Sequence, residues 1–243
     1  MDQRIHVFAS AHSFDEGDLQ GKIVVVIDVL RASSTIATIL RNGAKGVIPA
    51  MDKHEARRTA EQLDDGQYLL CGEEGGEKIE GFDLGNSPAE YTPETVKDKT
   101  VVLCTTNGTK AIRRSGPASD IYIGCFLNLS SVTALLRSSE IPAALVCAGW
   151  RGRMSLEDLL CAGYIIYELM EDRLPDNAPD GAKVALGVYE KFGDHLEKAI
   201  RSSSHARRLK GIVDESDISY CCQIDKMTIL PKLEDGIILN THG

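Results

Sequence analysis

The sequence lacks any apolar run of the roughly 18 residues that a membrane-spanning helix needs. Its first residues also lack the apolar core of a signal peptide. The formal net charge of −9 at pH 7 disfavours binding to nucleic acid and to anionic membranes. We therefore expect a soluble cytoplasmic protein without a nucleic-acid or membrane partner. Any anionic ligand must be attracted by a local site or by a metal ion.

The seven cysteines include no CxxC pair and no histidine spacing that is typical of a zinc site. Several of them end apolar runs or lie in helical patterns, where thiols behave as small buried hydrophobic groups in a reducing compartment. The nucleotide-binding patterns GxGxxG and GxxxxGK[ST] are also missing, which counts against a nucleotide-binding protein.

Residues 22–41, KIVVVIDVLRASSTIATILR, carry the most informative pattern in the chain. Their first half is a β-branched run that predicts a strand buried on both faces, and the apolar spacing of their second half predicts a helix. Asp28 comes at the end of the strand, and Arg31 follows in a polar elbow. The helix start carries three hydroxyl side chains, which belong to Ser33, Ser34 and Thr35.

This first elbow predicts a phosphate or sulfonate site. A helix start offers unpaired backbone N–H groups and the positive end of the helix dipole, and both favour an anion. Asp28 can hold a cation, and Arg31 can form a bidentate fork on an oxyanion. An ordinary loop with a helix N-cap is an equally open reading of these residues alone.

The strand, elbow and helix order recurs twice. Residues 99–136 repeat it with the elbow TTNGT, whose candidate substrate-binding residues are Thr105, Thr106, Asn107, Gly108 and Thr109. A third strand ends at Cys147 and is followed by a loop with Arg151 and Arg153. Ser155 and Asp158 then either form a capping box or bring a carboxylate to the shared cleft.

Alternating strands and helices predict a layered α/β/α fold with a mostly parallel or mixed sheet. We expect an internal duplication of the strand–elbow–helix unit, with two lobes around a cleft. The first lobe would span residues 1–136 and the second residues 137–243, unless both form one continuous domain. In such folds ligands bind at the carboxyl ends of the strands, so we predict that all three elbows build one pocket.

Two further segments are polar. Glu73 and Glu74 follow an apolar run and are candidate metal ligands, although these residues alone favour an exposed acidic loop. We interpret the basic stretch at residues 201–210, RSSSHARRLK, as a solvent-exposed helix face. Beyond it, three side chains spaced four apart would share one face of a helix, those of Asp217, Cys221 and Asp225. The chain ends in a predicted edge strand or hairpin.

Several motifs together resemble the signature run of the 2-phosphosulfolactate phosphatases, magnesium-dependent hydrolases of coenzyme M biosynthesis. They are VIDVLRASST, the acidic segment that leads into LGNSP, TTNGT, and SLEDLLCAG followed by a late Asp-rich helix. The resemblance covers nearly the whole chain. It implies hydrolysis of 2-phosphosulfolactate to sulfolactate and phosphate with Mg²⁺, in a fold unlike that of the better-known phosphatases.

With this chemistry in view, we predict three catalytic residues, which are Asp28, Arg31 and Asp158. The predicted Mg²⁺ ligands are Asp28, Glu73, Glu74 and Asp158, because hard oxygen donors suit this ion. The substrate would carry phosphate, sulfonate and carboxylate groups. The arginines that we predict to bind these groups are Arg31, Arg151 and Arg153. We favour water as the attacking group, since the DxD pair of aspartyl-phosphate phosphatases does not follow Asp28. A covalent phospho-enzyme with Asp28 as the nucleophile stays open.

Two other functions stay open. One is a protein that binds a small anion without catalysis, and the other is a phosphatase that acts on a related phosphorylated hydroxy acid. A homodimer is also left open.

Overall fold

The computed structural model of the protein describes residues 5–170 and 173–241. Within these residues the chain forms ten strands, which are β1 (Ile5–Phe8), β2 (Ile23–Ile27), β3 (Gly46–Ala50), β4 (Tyr68–Glu74), β5 (Glu77–Lys78), β6 (Thr100–Cys104), β7 (Asp120–Gly124), β8 (Ala143–Cys147), β9 (Pro231–Glu234) and β10 (Ile237–Asn240).

The same residues form ten α-helices, which are α1 (Ala32–Arg41), α2 (Lys53–Ala60), α3 (Pro93–Val96), α4 (Gly108–Arg114), α5 (Leu129–Ser138), α6 (Leu156–Leu169), α7 (Asp180–Phe192), α8 (Leu196–Arg201), α9 (Ser204–Leu209) and α10 (Glu215–Cys221). Four short 3₁₀ helices cover Glu16–Leu19, Pro88–Glu90, Phe126–Asn128 and Gly193–His195. No helix in this part of the chain is both long and apolar enough to span a membrane.

The strands form one sheet in the order β1-β8-β2-β7-β9-β10-β3-β6-β4-β5. Strands β1, β8, β2 and β7 are mutually parallel, and so are β3, β6 and β4. The hairpin β9–β10 lies between these groups, antiparallel to β7 on one side and to β3 on the other. The predicted layered α/β class is therefore confirmed. The chain closes in a hairpin, which is one of the two predicted forms, but this hairpin lies inside the sheet and is not an edge strand. It joins the open strands β7 and β3 of the two parallel groups.

The first two strand–elbow–helix units exchange strands. The chain runs from β2 through α1 to β3, and later from β6 through α4 to β7. Strand β2 pairs with β7, and β3 pairs with β6, in parallel register. Each unit thus contributes one strand to each parallel group. This topology is compatible with the duplication, which stays a prediction, as do the lobe boundaries. Strand β8, from the second predicted lobe, lies between β1 and β2 of the first.

The ends of β2 and β6 lie together, although the strand order alone would separate them. The two parallel groups run in opposite directions, so in a flat sheet these ends would lie at opposite edges. Neighbouring strands rotate by about 20–25°, and the five steps from β2 to β6 accumulate roughly 100° or more. A Cβ added to Gly108, which follows β6, would clash with Ala32 and lie 2.9 Å from Oδ2 of Asp28. The two elbows are therefore in contact.

Both faces of the sheet are buried. Along β2, Val25 packs into one core with α5, α6 and α7, whereas Val24 and Val26 pack into a second core with α1 and α4. A smaller third core forms where α2 covers β6, with Ala56 packed near Val102. Burial on both faces explains why β2 is an unbroken apolar run. The seven cysteines are all buried and free, as expected from their pattern.

The predicted common face of Asp217, Cys221 and Asp225 is wrong. Helix α10 ends at Cys221, and Asp225 lies beyond it with a positive φ of 50°. Asp217 and Cys221 are buried, but the Asp225 carboxylate instead accepts bonds from the backbone N–H and the hydroxyl of Ser130, both at 2.6 Å. The left-handed backbone turns the side chain away from the helix face.

The packing of α6 against α7 provides a test of the fold. A Cβ on Gly163 would clash with the carbonyl oxygen of Ala185 and lie 2.8 Å from the Cβ of Tyr189. Gly163→Ala should therefore lower the free energy of unfolding by about 1–3 kcal/mol, measured by urea denaturation. The matched control is Gly187→Ala on α7, where a Cβ meets nothing within 4 Å. It should raise stability by up to about 1 kcal/mol. Equal effects would contradict this packing.

Candidate functional site

A pocket of about 390 Å³, including its open mouth, lies where the carboxyl ends of β2, β4 and β6 meet. Segments far apart in the sequence build it, including residues of all three elbows. Its polar lining consists of Asp28, Arg31, Glu73, Asn86, Thr106, Asn107, His205 and Arg208. Trp150, from the third elbow, forms an aromatic wall.

The first elbow holds Asp28 at the floor of this pocket. Its backbone N–H donates to the hydroxyl of Ser33 at 2.9 Å, and its carbonyl oxygen accepts from the Ser33 N–H at 2.9 Å. Its Oδ1 accepts a longer bond from the N–H of Ala32, at 3.3 Å. These bonds orient the carboxylate from both ends of the turn. Asp28 is 7% exposed.

Arg31 is held by a buried ion pair. Its Nη1 donates to Oδ2 of Asp217 at 2.7 Å, and its Nη2 donates to the carbonyl oxygen of Gly76 at 3.1 Å. The hydroxyl of Ser87 donates to the other oxygen of Asp217 at 2.6 Å. The guanidinium thus lines the pocket in a set orientation, with donors left over for a ligand.

The three hydroxyl groups at the start of α1 form hydrogen bonds to backbone groups of the protein. Ser33 donates to the carbonyl oxygen of Val26 as well as accepting from Asp28. The hydroxyls of Ser34 and Thr35 donate at 2.9 Å to the carbonyl oxygens of Val29 and Asn86. All three side chains are buried. These contacts stabilise the conformation of the first elbow. Direct binding of substrate by the three hydroxyls stays a prediction.

Glu73 and Glu74 lie on opposite faces of β4, as alternation along a strand requires. Glu73 is buried in the pocket wall, and its carboxylate accepts from the N–H of Thr106 at 2.6 Å, the Thr106 hydroxyl at 3.0 Å and the N–H of Gly76 at 2.6 Å. The Glu74 side chain is 74% exposed and pairs with Lys53 at 3.3 Å. The structure therefore brings Glu73 to the site and leaves Glu74 outside.

In the second elbow, Thr105 and Thr109 bond to each other. The hydroxyl of Thr109 donates to the Thr105 carbonyl at 2.8 Å, and the hydroxyl of Thr105 accepts from the Thr109 N–H at 3.1 Å. Thr106 and Asn107 face the pocket. Gly108 is required by its close approach to the first elbow. The five predicted residues are thus divided between building the turn and lining the pocket.

Asp158 links the first and third elbows. Its Oδ1 accepts from the N–H of Val29 at 2.9 Å, and its Oδ2 accepts from the N–H of Gly149 at 3.0 Å. The capping-box reading is wrong, because Ser155 forms no side-chain cap and its hydroxyl has no partner among the described residues. With one backbone bond on each oxygen, Asp158 holds two loops together.

Arg151 and Arg153 are exposed and are not among the residues that line the pocket. Arg151 lies over the ring of Trp150, with 5.2 Å between its guanidinium carbon and the ring centroid. Arg153 is exposed and pairs through its backbone with Trp150. The arginine that accompanies Arg31 in the pocket is instead Arg208.

The interpretation of residues 201–210 as a solvent-exposed face is correct for Arg207 and Lys210 but wrong for His205. Helix α9 turns His205 inward, where it is 9% exposed and its Nδ1 lies 2.6 Å from Oε1 of Glu157. Arg208 lines the pocket and donates to the carbonyl oxygen of Gly75 at 3.3 Å. Nothing in the local sequence pattern signals this, because the buried partner of His205, Glu157, lies 48 residues earlier in the sequence.

Burial and like charges raise the pKa values of the carboxyl groups here. Burial, with smaller contributions from Glu73 and Glu157, raises the pKa of Asp28 to about 6, against the opposing effects of His205 and the Ala32 N–H. Burial, and then the charge of Asp28, raises the pKa of Asp158 well above its ordinary value. Pockets that hold perturbed carboxyl groups are frequent sites of catalysis.

The donor set suits a hard cation. Asp28 and Glu73 present carboxylate oxygens to the same pocket, and the buried Oδ1 of Asn86 has no partner among the described residues. Mg²⁺ prefers oxygen ligands of this kind. In the same part of the chain, no group of three histidine, cysteine or acidic side chains forms a complete metal-binding cluster.

Burying charge costs stability, so a fold that holds Asp28 and Arg31 beside an open pocket has the character of a catalyst. The protein is an α/β enzyme. Residues 8–236 match the model of a family described as 2-phosphosulpholactate phosphatase. The chain belongs to this family of phosphoric monoester hydrolases.

Curated relatives agree over almost their full length. A protein of Caldanaerobacter subterraneus subsp. tengcongensis is 40% identical over 96% of this chain and 97% of its own. One from Thermotoga maritima is 44% identical over 90% of this chain and 92% of its own. One from Pseudothermotoga lettingae is 44% identical over 90% and 93%. Each is named a probable 2-phosphosulfolactate phosphatase.

The buried pair of Arg31 and Asp217 supports the fold as well as the pocket. Asp217→Asn removes the negative partner and leaves the guanidinium buried without its counter-charge. We expect a loss of about 3–5 kcal/mol in unfolding free energy, measured by denaturant titration. Glu74→Gln, which breaks the exposed pair with Lys53, should leave the midpoint unchanged. An Asp217→Asn protein with the unfolding free energy of the wild type would show that the pair does not stabilise the fold.

Proposed function

We propose that this protein is a Mg²⁺-dependent phosphatase that hydrolyses 2-phosphosulfolactate to sulfolactate and phosphate in coenzyme M biosynthesis. Membership of the family supports the substrate. The observation that carries the chemistry is the convergence of Asp28, Glu73 and Arg31 in one pocket from separate segments. Phosphate monoester hydrolysis needs charge neutralised on the phosphoryl oxygens and a positioned attacking water.

The substrate would be bound mainly by its charges. Arg31 offers its remaining N–H groups to phosphoryl oxygens, and the bond to Asp217 keeps the guanidinium from turning away. Arg208, near the mouth, is placed to take the sulfonate or carboxylate. Asn107 adds an amide beside them. Two arginines offset the negative charge of the protein as a whole, which would otherwise oppose a ligand with three anionic groups.

The cation would be held by Asp28 and Glu73, with Asn86 as a third oxygen donor. When bound, Mg²⁺ would neutralise charge on the phosphoryl oxygens and favour ionisation of water. Glu73 is kept in place for this task by Thr106 and Gly76. Asp158 and Glu74 are not part of this proposed set.

We further infer a cytoplasmic location, since seven buried free thiols suit a reducing compartment. The expected partner is a small anionic substrate, and neither nucleic acid nor membrane fits the net charge of −9.

Phosphate release from 2-phosphosulfolactate by the purified protein tests the proposal. Wild-type protein with Mg²⁺ should release phosphate, and exhaustive treatment with EDTA should abolish turnover until Mg²⁺ is restored. Full activity after chelation would rule out the metal. Binding of the ester without release would favour the anion-binding function, and faster hydrolysis of another phosphorylated hydroxy acid would reassign the substrate.

The neighbouring residues Glu73 and Glu74 form a matched pair of variants. Glu73→Gln should lower kcat/KM by about 100-fold or more, because it removes a charge from the proposed cation site. Glu74→Gln should keep wild-type activity, since this side chain is exposed on the other face of β4. Titration of the apparent Mg²⁺ affinity should show weakening only in Glu73→Gln. The reverse pattern would remove Glu73 from the site.

A further inference from the structure

We propose that His205 is the proton donor to the leaving oxygen of the phosphate ester and that Glu157 is its positioning residue. This inference rests on the proposed function and deepens it by naming the group that completes departure of the alcohol. Glu157 lies within the SLEDLLCAG motif, but no catalytic role was predicted for either residue.

The geometry of the pair supports this role. Oε1 of Glu157 lies 2.6 Å from Nδ1 of His205, and Glu157 is 1% exposed. A carboxylate at this distance holds a proton on Nδ1 and sets the orientation of the ring. Nε2 makes no hydrogen bond in the part of the chain that the structure describes, and the ring lines the pocket with Asp28 and Arg31. It is therefore the nitrogen available to a substrate.

The ring is held on its other sides as well. The indole of Trp150 stacks on the imidazole, with 5.7 Å between centroids and 16° between planes. The hydroxyl of Ser203 accepts from the N–H of Ala206 and so caps the short helix that carries His205. A catalytic acid must be placed within about 3 Å of the atom that it protonates, and such packing restricts the ring to one orientation.

The chemistry calls for a proton at this point. When water attacks phosphorus, the bond between phosphorus and the ester oxygen breaks, and the alcohol would leave as a strongly basic alkoxide. Transfer of the Nε2 proton to that oxygen yields the neutral alcohol and leaves His205 neutral. The attacking water's protons stay with the phosphate. Ionisation of the resulting dihydrogen phosphate returns one proton to His205, so the cycle balances without another reactant.

The charges around His205 favour its protonated form. Burial disfavours the cation, but the hydrogen bond and charge of Glu157 raise the pKa of His205, and Asp28 and Asp158 add to this effect. The cations that face the same pocket or its wall are Arg31, Arg208 and Arg151. Activity that needs the imidazolium falls as pH rises through this pKa. A raised pKa therefore extends activity to higher pH.

The test compares two leaving groups. His205→Gln should lower kcat for 2-phosphosulfolactate by about 100-fold or more, because its alkoxide needs a proton. The same variant should lower kcat for p-nitrophenyl phosphate by less than about tenfold, since a phenolate leaves unaided. His54→Gln, at an exposed position on α2, is the matched control and should resemble the wild type. Equal loss with both esters, or a rise in KM alone, would overturn the proton-donor role.

Glu157→Gln tests the pair in a protein that keeps its histidine. This variant retains a hydrogen-bond acceptor but removes the charge, so the pKa of His205 should fall and the falling limb of the pH–rate profile should move to lower pH. An unchanged profile would contradict the pairing. Imidazole NMR spectra of the wild type give a readout without turnover. His205 should titrate above the 6.5 of an unperturbed histidine, and a ring that loses its proton below this value overturns the inference.

These outcomes separate the two proposals. If the wild type hydrolyses neither ester, the proposed function is overturned together with the role of His205. If the wild type is active but His205→Gln affects both esters equally, the role of His205 alone is overturned. Should His205→Gln fail to fold, as shown by circular dichroism, the Glu157→Gln profile and the NMR titration still decide the matter.

Discussion

The close contact between the starts of α1 and α4 is the constraint on which the site depends. Gly108 lies so near Ala32 and Asp28 that no larger residue fits without movement. This contact holds the end of β6 against the end of β2, although the two parallel groups run in opposite directions. The absence of a side chain at Gly108 permits this close approach. Asp28 and Thr106 thereby come to share one pocket.

Around this contact, one set of polar residues builds the elbows and another faces the pocket. Ser33, Ser34 and Thr35 bond to backbone carbonyls, and Asp158 bonds to the N–H groups of two loops. These bonds satisfy buried backbone groups that loops would otherwise leave unpaired. The side chains that face the pocket are thus held in place before a ligand arrives, which is the arrangement that electrostatic catalysis requires.

The sequence predicted the elements better than their relative positions. Alternating strands, the elbows and the buried run of β2 followed from local periodicity, since each depends on neighbouring residues. We expected the elbows to meet because parallel strands lie side by side. The hairpin β9–β10, however, separates the parallel group that contains β2 from the one that contains β6. Glu73 and Glu74 could not be ranked from sequence. Which of two adjacent carboxylates faces the pocket depends on the register of β4 against β6.

By itself, the sequence determined the α/β class, the elbow after β2 and the family, because these are recorded in local patterns of residue type. Only the tertiary structure decided that the basic helix α9 faces inward, with His205 beside Glu157 and Arg208 beside Trp150. A short polar helix has the same local pattern whether it faces water or a polar pocket. The physical difference is a buried carboxylate from a distant helix, and folding alone brings it within hydrogen-bond distance.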